Sequence, residues 1–215
     1  ILTPHIDKVA EDGIIFSDGY VSHPYCSPSR AGLMTGRYQQ RFGHEHNVLF
    51  SPQDSTMGSP NNEVFLSNKM KEAGYKTCAI GKWHLGDHPN FLPPQSGFDH
   101  WFGFSGGHMN YWGHPYSKNK TMHIQRNGKN VDPKELTYLT YDFTNEALSF
   151  IKQQKDTPFF MYLSYNAPHS PDHATKQYLE KADHIENGSR SVYAAMIAGV
   201  DQGVGKIDSL LTRLG

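Results

Sequence analysis

The sequence predicts an α/β fold in which a mostly parallel β-sheet is sandwiched by helices. Segments with helical spacing of apolar residues alternate along the chain with short apolar segments rich in β-branched and aromatic residues. Such alternation is typical of parallel strands joined by helices that cover both faces of a sheet. Polar clusters directly follow three of the apolar segments, and ligands of such folds bind beyond the carboxyl ends of the strands.

The first unit is predicted to contain a helix, a strand and a second helix. Pro4 suits the first turn of a helix over residues 3–13, which a glycine ends. The segment IIFSDGY, residues 14–20, has the composition of a strand. A capped helix is expected over residues 27–35, and Cys26 would then lie at a strand-to-helix junction.

The middle of the chain is predicted to contain a helix, a strand and a long loop. Apolar spacing indicates a helix over residues 62–73, and YKTCAI, residues 75–80, is the next expected strand. Residues 87–120 are rich in Gly, Pro, His and aromatic side chains without a clear period, which favours a long ordered loop. Asn127 and Gly128 predict a hairpin turn after this loop.

The last third is predicted to contain two helices with a strongly apolar strand between them. The helices are expected over residues 141–154 and 190–214, and the strand PFFMYLSY over residues 158–165. Asp201 and Asp208 fall within the last helix at positions that suit its surface.

The bulk composition indicates a globular α/β domain and gives no sign of a polyanionic partner. A chain of 215 residues fits one domain, and 20 basic against 21 acidic side chains leave a net charge of −1. We therefore expect no nucleic-acid partner, and no apolar run is long enough to predict a membrane span. Two cysteines are too few for a disulfide framework. The abrupt opening of the sequence suggests a piece of a longer protein.

Three polar clusters are expected to meet at one edge of the predicted sheet. They are residues 26–30, residues 82–84 and His169. A helix N-terminus, the guanidinium of Arg30 and the ammonium of Lys82 together would bind a tetrahedral oxyanion, so the clusters predict a sulfate or phosphate pocket. Taken singly, each cluster could also be structural: a capped helix, a tight loop or a turn histidine.

Other conspicuous residues have simpler interpretations. His44 and His46 lie two residues apart in a Gly- and Asn-flanked loop, a position that fits solvated or substrate-facing side chains better than a zinc site. Cys78, inside a predicted strand, is expected to be a small buried hydrophobe. Three rings of the long loop could stack on a sugar or pack the loop onto the domain: Tyr111, Trp112 and Tyr116.

The sequence resembles a known family through three segments. CSPSRAGLMTGR, residues 26–37, resembles the signature of the type I sulfatases, in which the cysteine of a CxPxR core becomes formylglycine. GKWHLG and APHSP, residues 81–86 and 167–171, resemble the second and third active-site segments of that family. The resemblance implies an alkaline phosphatase/sulfatase-like fold, incomplete at both ends, with residues 1–215 as the central part of the N-terminal catalytic domain.

The resemblance also implies a role for each candidate catalytic residue. Cys26, as a formylglycine hydrate, would attack the sulfur of a sulfate ester. Arg30 would hold the hydrate, and Lys82 would bind both the hydrate and a sulfate oxygen. His84 would act as base on the remaining hydroxyl, and His169 would protonate the departing alcohol. These roles agree with the need of an oxyanion for fixed cationic donors.

The same resemblance implies a metal, partners and a compartment. Calcium would be bound through Cys26 as formylglycine, with its remaining ligands outside this chain, so the fragment alone is expected to be inactive. The implied partners are a sulfated carbohydrate substrate and, during maturation, a formylglycine-generating enzyme. Family members are exported, which implies a periplasmic, extracellular or lysosomal protein.

Three alternative functions remain open at the level of sequence. A phosphoester or phosphonate hydrolase of the same superfamily would use a similar pocket. A sulfated-glycan binding protein could keep the pocket without turnover. A Cys-His thiol hydrolase fits less well, because it does not explain Arg30 together with Lys82.

Overall fold

Among the described residues of this computed structural model, 1–60, 62–114 and 122–215, five strands form one sheet in the order β4-β3-β2-β1-β5. Strand β1 pairs in parallel with β2 and β5, whereas β2 with β3 and β3 with β4 pair antiparallel. The sheet is therefore mixed: its three longest strands are parallel, as predicted, and two short strands extend it by antiparallel pairing. The strands are β1 Lys76–Lys82, β2 His100–Phe104, β3 Gln125–Arg126, β4 Lys129–Asn130 and β5 Phe159–Ser164.

Most helices lie close to their predicted places, but the helix Leu66–Glu72 begins at Leu66 instead of residue 62, and the helix Lys176–Lys181 was not predicted. The longest of them, α4 and α6, begin within two residues of the bounds expected from apolar spacing. No helix among the described residues is long and apolar enough to span a membrane. The helices are α1 Pro4–Glu11, α2 Cys26–Thr35, α3 Leu66–Glu72, α4 Leu139–Gln153, α5 Lys176–Lys181 and α6 Gly188–Leu214.

Helices cover both faces of the sheet, as the alternation of side chains along a strand requires. On one face, alternate residues of β1 and β2 pack against α4: Cys78, Ile80, Phe102, Phe104, Phe143 and Ala147. On the other face, the intervening residues pack with α2 and the start of α3: Ala79, Trp101, Ala31, Met34 and Phe65. Cys78 is fully buried, as predicted, and burial raises its thiol pKa.

The predicted strand over residues 14–20 is wrong. Ile14 and Phe16 are each 80% exposed, and no strand of the described residues pairs with this segment. A β-rich composition indicates a strand only where a neighbouring strand supplies hydrogen bonds and a core covers one face. That neighbour is a property of the fold, which the local composition does not contain.

The predicted long loop over residues 87–120 is also wrong in its centre, because HWFGF forms β2 beside β1. The sequence pattern did not predict this strand because it contains Gly103, and a glycine inside a short aromatic segment weakens the strand pattern. The structure shows why glycine is needed there: a Cβ on Gly103 would overlap the backbone of Gly81. Tyr116 and the end of the predicted loop lie outside the described residues. Asn127 and Gly128, at φ 51° and 81°, form the predicted hairpin turn.

Asp201 is not a surface residue of α6, contrary to the prediction. It is 4% exposed, and its Oδ1 accepts hydrogen bonds from the backbone N–H groups of His5 and Ile6 at 3.0 and 2.9 Å. These N–H groups lack partners within α1, because no helical carbonyl group precedes the first turn of a helix to accept their hydrogen bonds. Helix α1 therefore packs on α6 with its N-terminus capped by a carboxylate distant in sequence.

His44 is buried, contrary to the expected solvated or substrate-facing position, whereas His46 is exposed. The Nε2 of His44 lies 2.6 Å from Oγ of Ser27 in the first turn of α2, and its Nδ1 lies 3.3 Å from Oγ of Ser59. Ser59 in turn donates its N–H to the carbonyl of Leu85, just after β1. His44 thus connects the start of α2 to the segment that follows β1.

Replacement of Gly81 by Ala is expected to destabilise the fold by more than about 3 kcal/mol. Gly81 has φ 99°, and a Cβ there would overlap the backbone carbonyl of Ser164 on β5. Gly36→Ala is the matched control, since Gly36 also has positive φ, 64°, but open space around it. It should cost only about 1 kcal/mol in urea unfolding. Equal losses in the two variants would contradict the close approach of β1 to β5.

The stability of the protein should fall in weak acid partly through His44. Burial lowers the pKa of His44 to about 4, while an unfolded histidine titrates near about 6.5. As the pH falls, the unfolded state therefore binds a proton on this histidine before the folded state does. The free energy of unfolding should decrease by about 2 kcal/mol between about pH 7.5 and about pH 5 for this reason. In urea unfolding, the free energy of unfolding of His44→Gln should decrease by about 2 kcal/mol less than that of wild type over this pH range. Identical pH dependence in both proteins would rule out this contribution.

Candidate active site

An open pocket of about 530 Å³ lies beyond the carboxyl ends of β1 and β5. Four of the five predicted catalytic side chains line it: Cys26, Arg30, Lys82 and His169. The segments that carry them are far apart in sequence and meet because β1 and β5 are adjacent parallel strands whose ends face α2. The predicted convergence of the three clusters is confirmed.

Cys26 is the first residue of α2, one residue earlier than the predicted helix start. The segment before it is not a strand, so the expected strand-to-helix junction is a loop-to-helix junction. The side chain is partly exposed and lines the pocket. A group at this place meets the positive end of the helix dipole and the unpaired N–H groups of the first turn, which favours an anion there.

Arg30 lies one turn along α2 and joins three elements. Its Nη1 donates to the carbonyl of Lys82 at 2.7 Å, to the hydroxyl of Tyr162 at 3.0 Å and to Oγ of Ser164 at 2.6 Å. One guanidinium nitrogen thus fixes α2 against the ends of β1 and β5. The planar fork makes such contacts with little loss of side-chain freedom.

Lys82 is the last residue of β1, which extends two residues beyond the predicted strand. Its side chain is 3% exposed and lines the pocket together with Cys26. Burial and the neighbouring charge of Arg30 lower the Lys82 pKa to about 8, although Cys26 opposes the shift. Two cations held this close, one of them buried, favour an anionic ligand between them.

His84 is buried behind the pocket, and it does not line the pocket itself. Its Nε2 lies 3.2 Å from the carbonyl oxygen of Val48, while its Nδ1 has no hydrogen-bond partner among the described residues. Burial, followed by the charge of Lys82, lowers its pKa to about 3. Gly107 covers the ring, and a Cβ there would lie 2.8 Å from the His84 Cε1. His84 is therefore a neutral imidazole with one free lone pair.

His169 is exposed at the pocket and is held through its backbone. Its N–H donates to the carbonyl of Asn166 at 2.9 Å, and its carbonyl accepts from the Tyr111 hydroxyl at 2.9 Å. Its Nδ1 lies 2.8 Å from the carbonyl oxygen of Ser170, which leaves Nε2 for proton exchange with a ligand. The ring stacks with His108 at a centroid distance of 6.1 Å.

The rings of the long loop divide between packing and exposure. Tyr111 is fully buried and stacks on Tyr138 at 5.6 Å, so it packs the loop and does not offer a surface to a sugar. Trp112 is 41% exposed, with its ring 5.4 Å from that of Tyr138. Because the hydroxyl of the buried Tyr111 also donates to the His169 carbonyl, the loop that carries Tyr111 positions His169.

Several residues of the site were missed from the sequence. Tyr162 and Ser164 carry the contacts of Arg30, and Asn166 lines the pocket. Polar side chains at alternate positions near the carboxyl end of an apolar strand were the available signal, because they share one face. The contacts of His44 and Tyr111 had no local signal, since their partners are distant in sequence.

The described residues do not fit a calcium site. No group of three or more His, Cys, Asp or Glu side chains in residues 1–60, 62–114 and 122–215 is placed to hold a metal ion. Calcium takes several oxygen ligands, usually with carboxylates among them, whereas the described pocket around Cys26 is lined by the cations Lys82 and Arg30 and by no Asp or Glu side chain.

The chain matches known proteins along its whole length. The Sulfatase family profile matches residues 1–215. N-acetylgalactosamine-6-sulfatase of Rattus norvegicus is 37% identical over 231 residues, which covers 99% of this chain and 42% of that protein. The solved structure of Ps i-CgsB in complex with k-i-k-neocarrahexaose has a TM-score of 0.90 at 39% identity, over 99% of this chain and 50% of that one.

A more distant structure agrees in fold alone. A protein in the alkaline phosphatase superfamily from Vibrio parahaemolyticus has a TM-score of 0.58 at 16% identity, over 99% of this chain and 45% of that one. The chain thus spans about half, or less, of the length of each of these relatives. Because the family profile matches every residue and relatives at 37% and 39% identity cover 99% of the sequence, the chain belongs to the sulfatase family.

Proposed function

We propose that the complete protein carrying this chain hydrolyses sulfate esters of carbohydrates. The observation that carries the proposal is the pocket in which Cys26, at the N-terminus of α2, meets the buried Lys82, at the end of β1. The relatives support the substrate class: one is named N-acetylgalactosamine-6-sulfatase, and another was solved in complex with k-i-k-neocarrahexaose.

Cys26 is the proposed site of the nucleophile after its conversion to formylglycine by a separate generating enzyme that supplies the oxidant. In hydrated form, this residue would supply one hydroxyl that attacks the sulfur of the sulfate ester. Its second hydroxyl would later expel the sulfate group. The helix N-terminus stabilises negative charge on that side chain. Lys82, which lines the same pocket as Cys26, would hold the attacking oxygen and one sulfate oxygen.

Arg30 and the two histidines complete the proposed machinery. Arg30 is fixed by its contacts with β1 and β5, so its remaining N–H groups are held in position for the hydrate. His84 is neutral at pH 7, and its Nδ1 has no hydrogen-bond partner among the described residues, so Nδ1 would accept the proton of the second hydroxyl. Its low pKa makes it a weak base in the free site, and the negative charge of a bound sulfate would raise that pKa. In that step His169 would carry a proton on each ring nitrogen: Nδ1–H would donate to the carbonyl of Ser170, and Nε2–H would pass to the departing alcohol oxygen.

The maturation partner, metal and compartment follow from family membership as parts of the same proposal. A formylglycine-generating enzyme would act on residues 26–30 before the protein reaches its destination. Calcium is the cation expected in the complete protein, with ligands beyond those described apart from the modified Cys26. Sulfatases are typically lysosomal or secreted proteins, and we place the complete protein in an exported compartment on that ground.

The peptide spanning Cys26 should have the mass of an aldehyde in the complete protein, produced together with a formylglycine-generating enzyme. Cys26→Ala should abolish hydrolysis of 4-nitrophenyl sulfate and leave the thermal unfolding curve unchanged. Cys78→Ala is the matched control, because Cys78 is buried in the sheet and does not line the pocket. The Cys78→Ala protein should still hydrolyse 4-nitrophenyl sulfate. An unmodified thiol in an active protein, or turnover by Cys26→Ala, would refute the formylglycine mechanism.

Lys82→Met should lower kcat/KM for sulfate esters by about 10²- to 10³-fold, because it keeps the side-chain bulk but removes a preorganised cationic donor. The protein should not become less stable, since the buried ammonium has a desolvation cost that methionine lacks. Lys129→Ala, at an exposed position at the start of β4, serves as the charge control. A kcat/KM of Lys82→Met within about twofold of the wild-type value, measured by steady-state kinetics, would contradict this role.

A further inference from the structure

Asn166 is a buried amide at the pocket for which the proposed chemistry has no use. It lies two residues beyond β5, is 4% exposed, and lines the pocket together with Cys26, Lys82 and His169. Its backbone carbonyl accepts the N–H of His169, but neither Nδ2 nor Oδ1 of its side chain has a hydrogen-bond partner among the described residues.

A buried amide without partners is costly. Leaving such a donor or acceptor unsatisfied costs about 1–3 kcal/mol, and buried polar groups of native proteins are almost always paired. A side chain that lines an open pocket can obtain its partners from the ligand that the pocket binds. The cost is then recovered only when that ligand is present.

The neighbouring polar groups restrict what this partner can be. Tyr162 contacts Arg30 through its hydroxyl, and the Tyr165 hydroxyl lies 2.7 Å from Oγ1 of Thr144, so both are already engaged. Lys82 and Arg30 provide donors only, which suit the oxygens of a sulfate group. Asn166 adds a neutral donor next to an acceptor. The acceptor Oδ1 requires a hydrogen, and a sulfate monoester has none to give.

A sugar hydroxyl matches this pair of groups, because it can accept a hydrogen bond from Nδ2 or donate one to Oδ1. We propose that Asn166 is a substrate-positioning residue that binds a free hydroxyl of the sugar beside the sulfate ester, an inference that rests on the proposed carbohydrate sulfatase function. Asn166 thereby distinguishes a sugar sulfate from a sulfate ester that lacks hydroxyl groups.

The test compares two substrates in the complete, matured protein. One is 4-nitrophenyl sulfate, which has no hydroxyl, and the other is the fastest of N-acetylgalactosamine 6-sulfate, galactose 6-sulfate and galactose 4-sulfate. For Asn166→Ala and Asn166→Leu, the ratio of kcat/KM for the sugar to that for the aryl ester should fall by about 10-fold or more. Asn145→Ala, at an exposed position on α4, should leave the ratio unchanged.

Stability separates positioning from a structural role. Asn166→Leu removes an unsatisfied buried amide and fills the same space, so its unfolding temperature should equal or exceed that of wild type while the ratio falls. A lower unfolding temperature with parallel losses on both substrates, or an unchanged ratio, would overturn the inference.

The wild-type protein distinguishes failure of the inference from failure of the proposed function. Turnover of the aryl ester without any turnover of the sugar sulfates would contradict the carbohydrate assignment, and with it the role of Asn166. Absence of turnover on either class would contradict the proposed function itself.

Discussion

The three-way contact of Arg30 is the constraint on which the pocket depends. Its Nη1 reaches the backbone of Lys82 and the side chains of Tyr162 and Ser164, so α2 is fixed to the ends of two parallel strands at once. Together with the link through His44, this contact defines the place of the N-terminus of α2 relative to Lys82. The pocket is therefore built on strand ends and a helix start, which are more rigid than a loop.

The same contact sets the electrostatics of the site. It brings the charge of Arg30 close to a lysine that is already buried, and the Lys82 pKa falls to about 8 as a result of burial and that charge. His84, buried beside them, stays neutral for the same reasons. Fixed cations next to a neutral imidazole favour a bound oxyanion and leave one base available, a combination that suits the hydrolysis of a charged ester.

A second set of residues holds this machinery without touching a reacting atom. His44 connects Ser27 in α2 with Ser59, Tyr111 holds the carbonyl of His169, and Gly107 allows the loop to close over His84. Each of these contacts spans many residues of sequence. Asn166 differs from them, because its amide is held at the pocket with both polar atoms still to be paired.

The sequence by itself determined the longest helices, an α/β sheet with parallel strands and the family, because apolar spacing and the motifs at 26–37, 81–86 and 167–171 are local properties of the chain. It also placed Lys82 and His169 at one edge, since strand ends in a parallel sheet share a side, whereas Cys26 reaches that edge through α2 and not through the predicted strand. Only the tertiary structure decided that residues 14–20 stay unpaired, that β2 lies within an expected loop, and that Asp201, His44 and Asn166 are buried. Strand pairing and burial depend on neighbours distant in sequence, which no local pattern encodes.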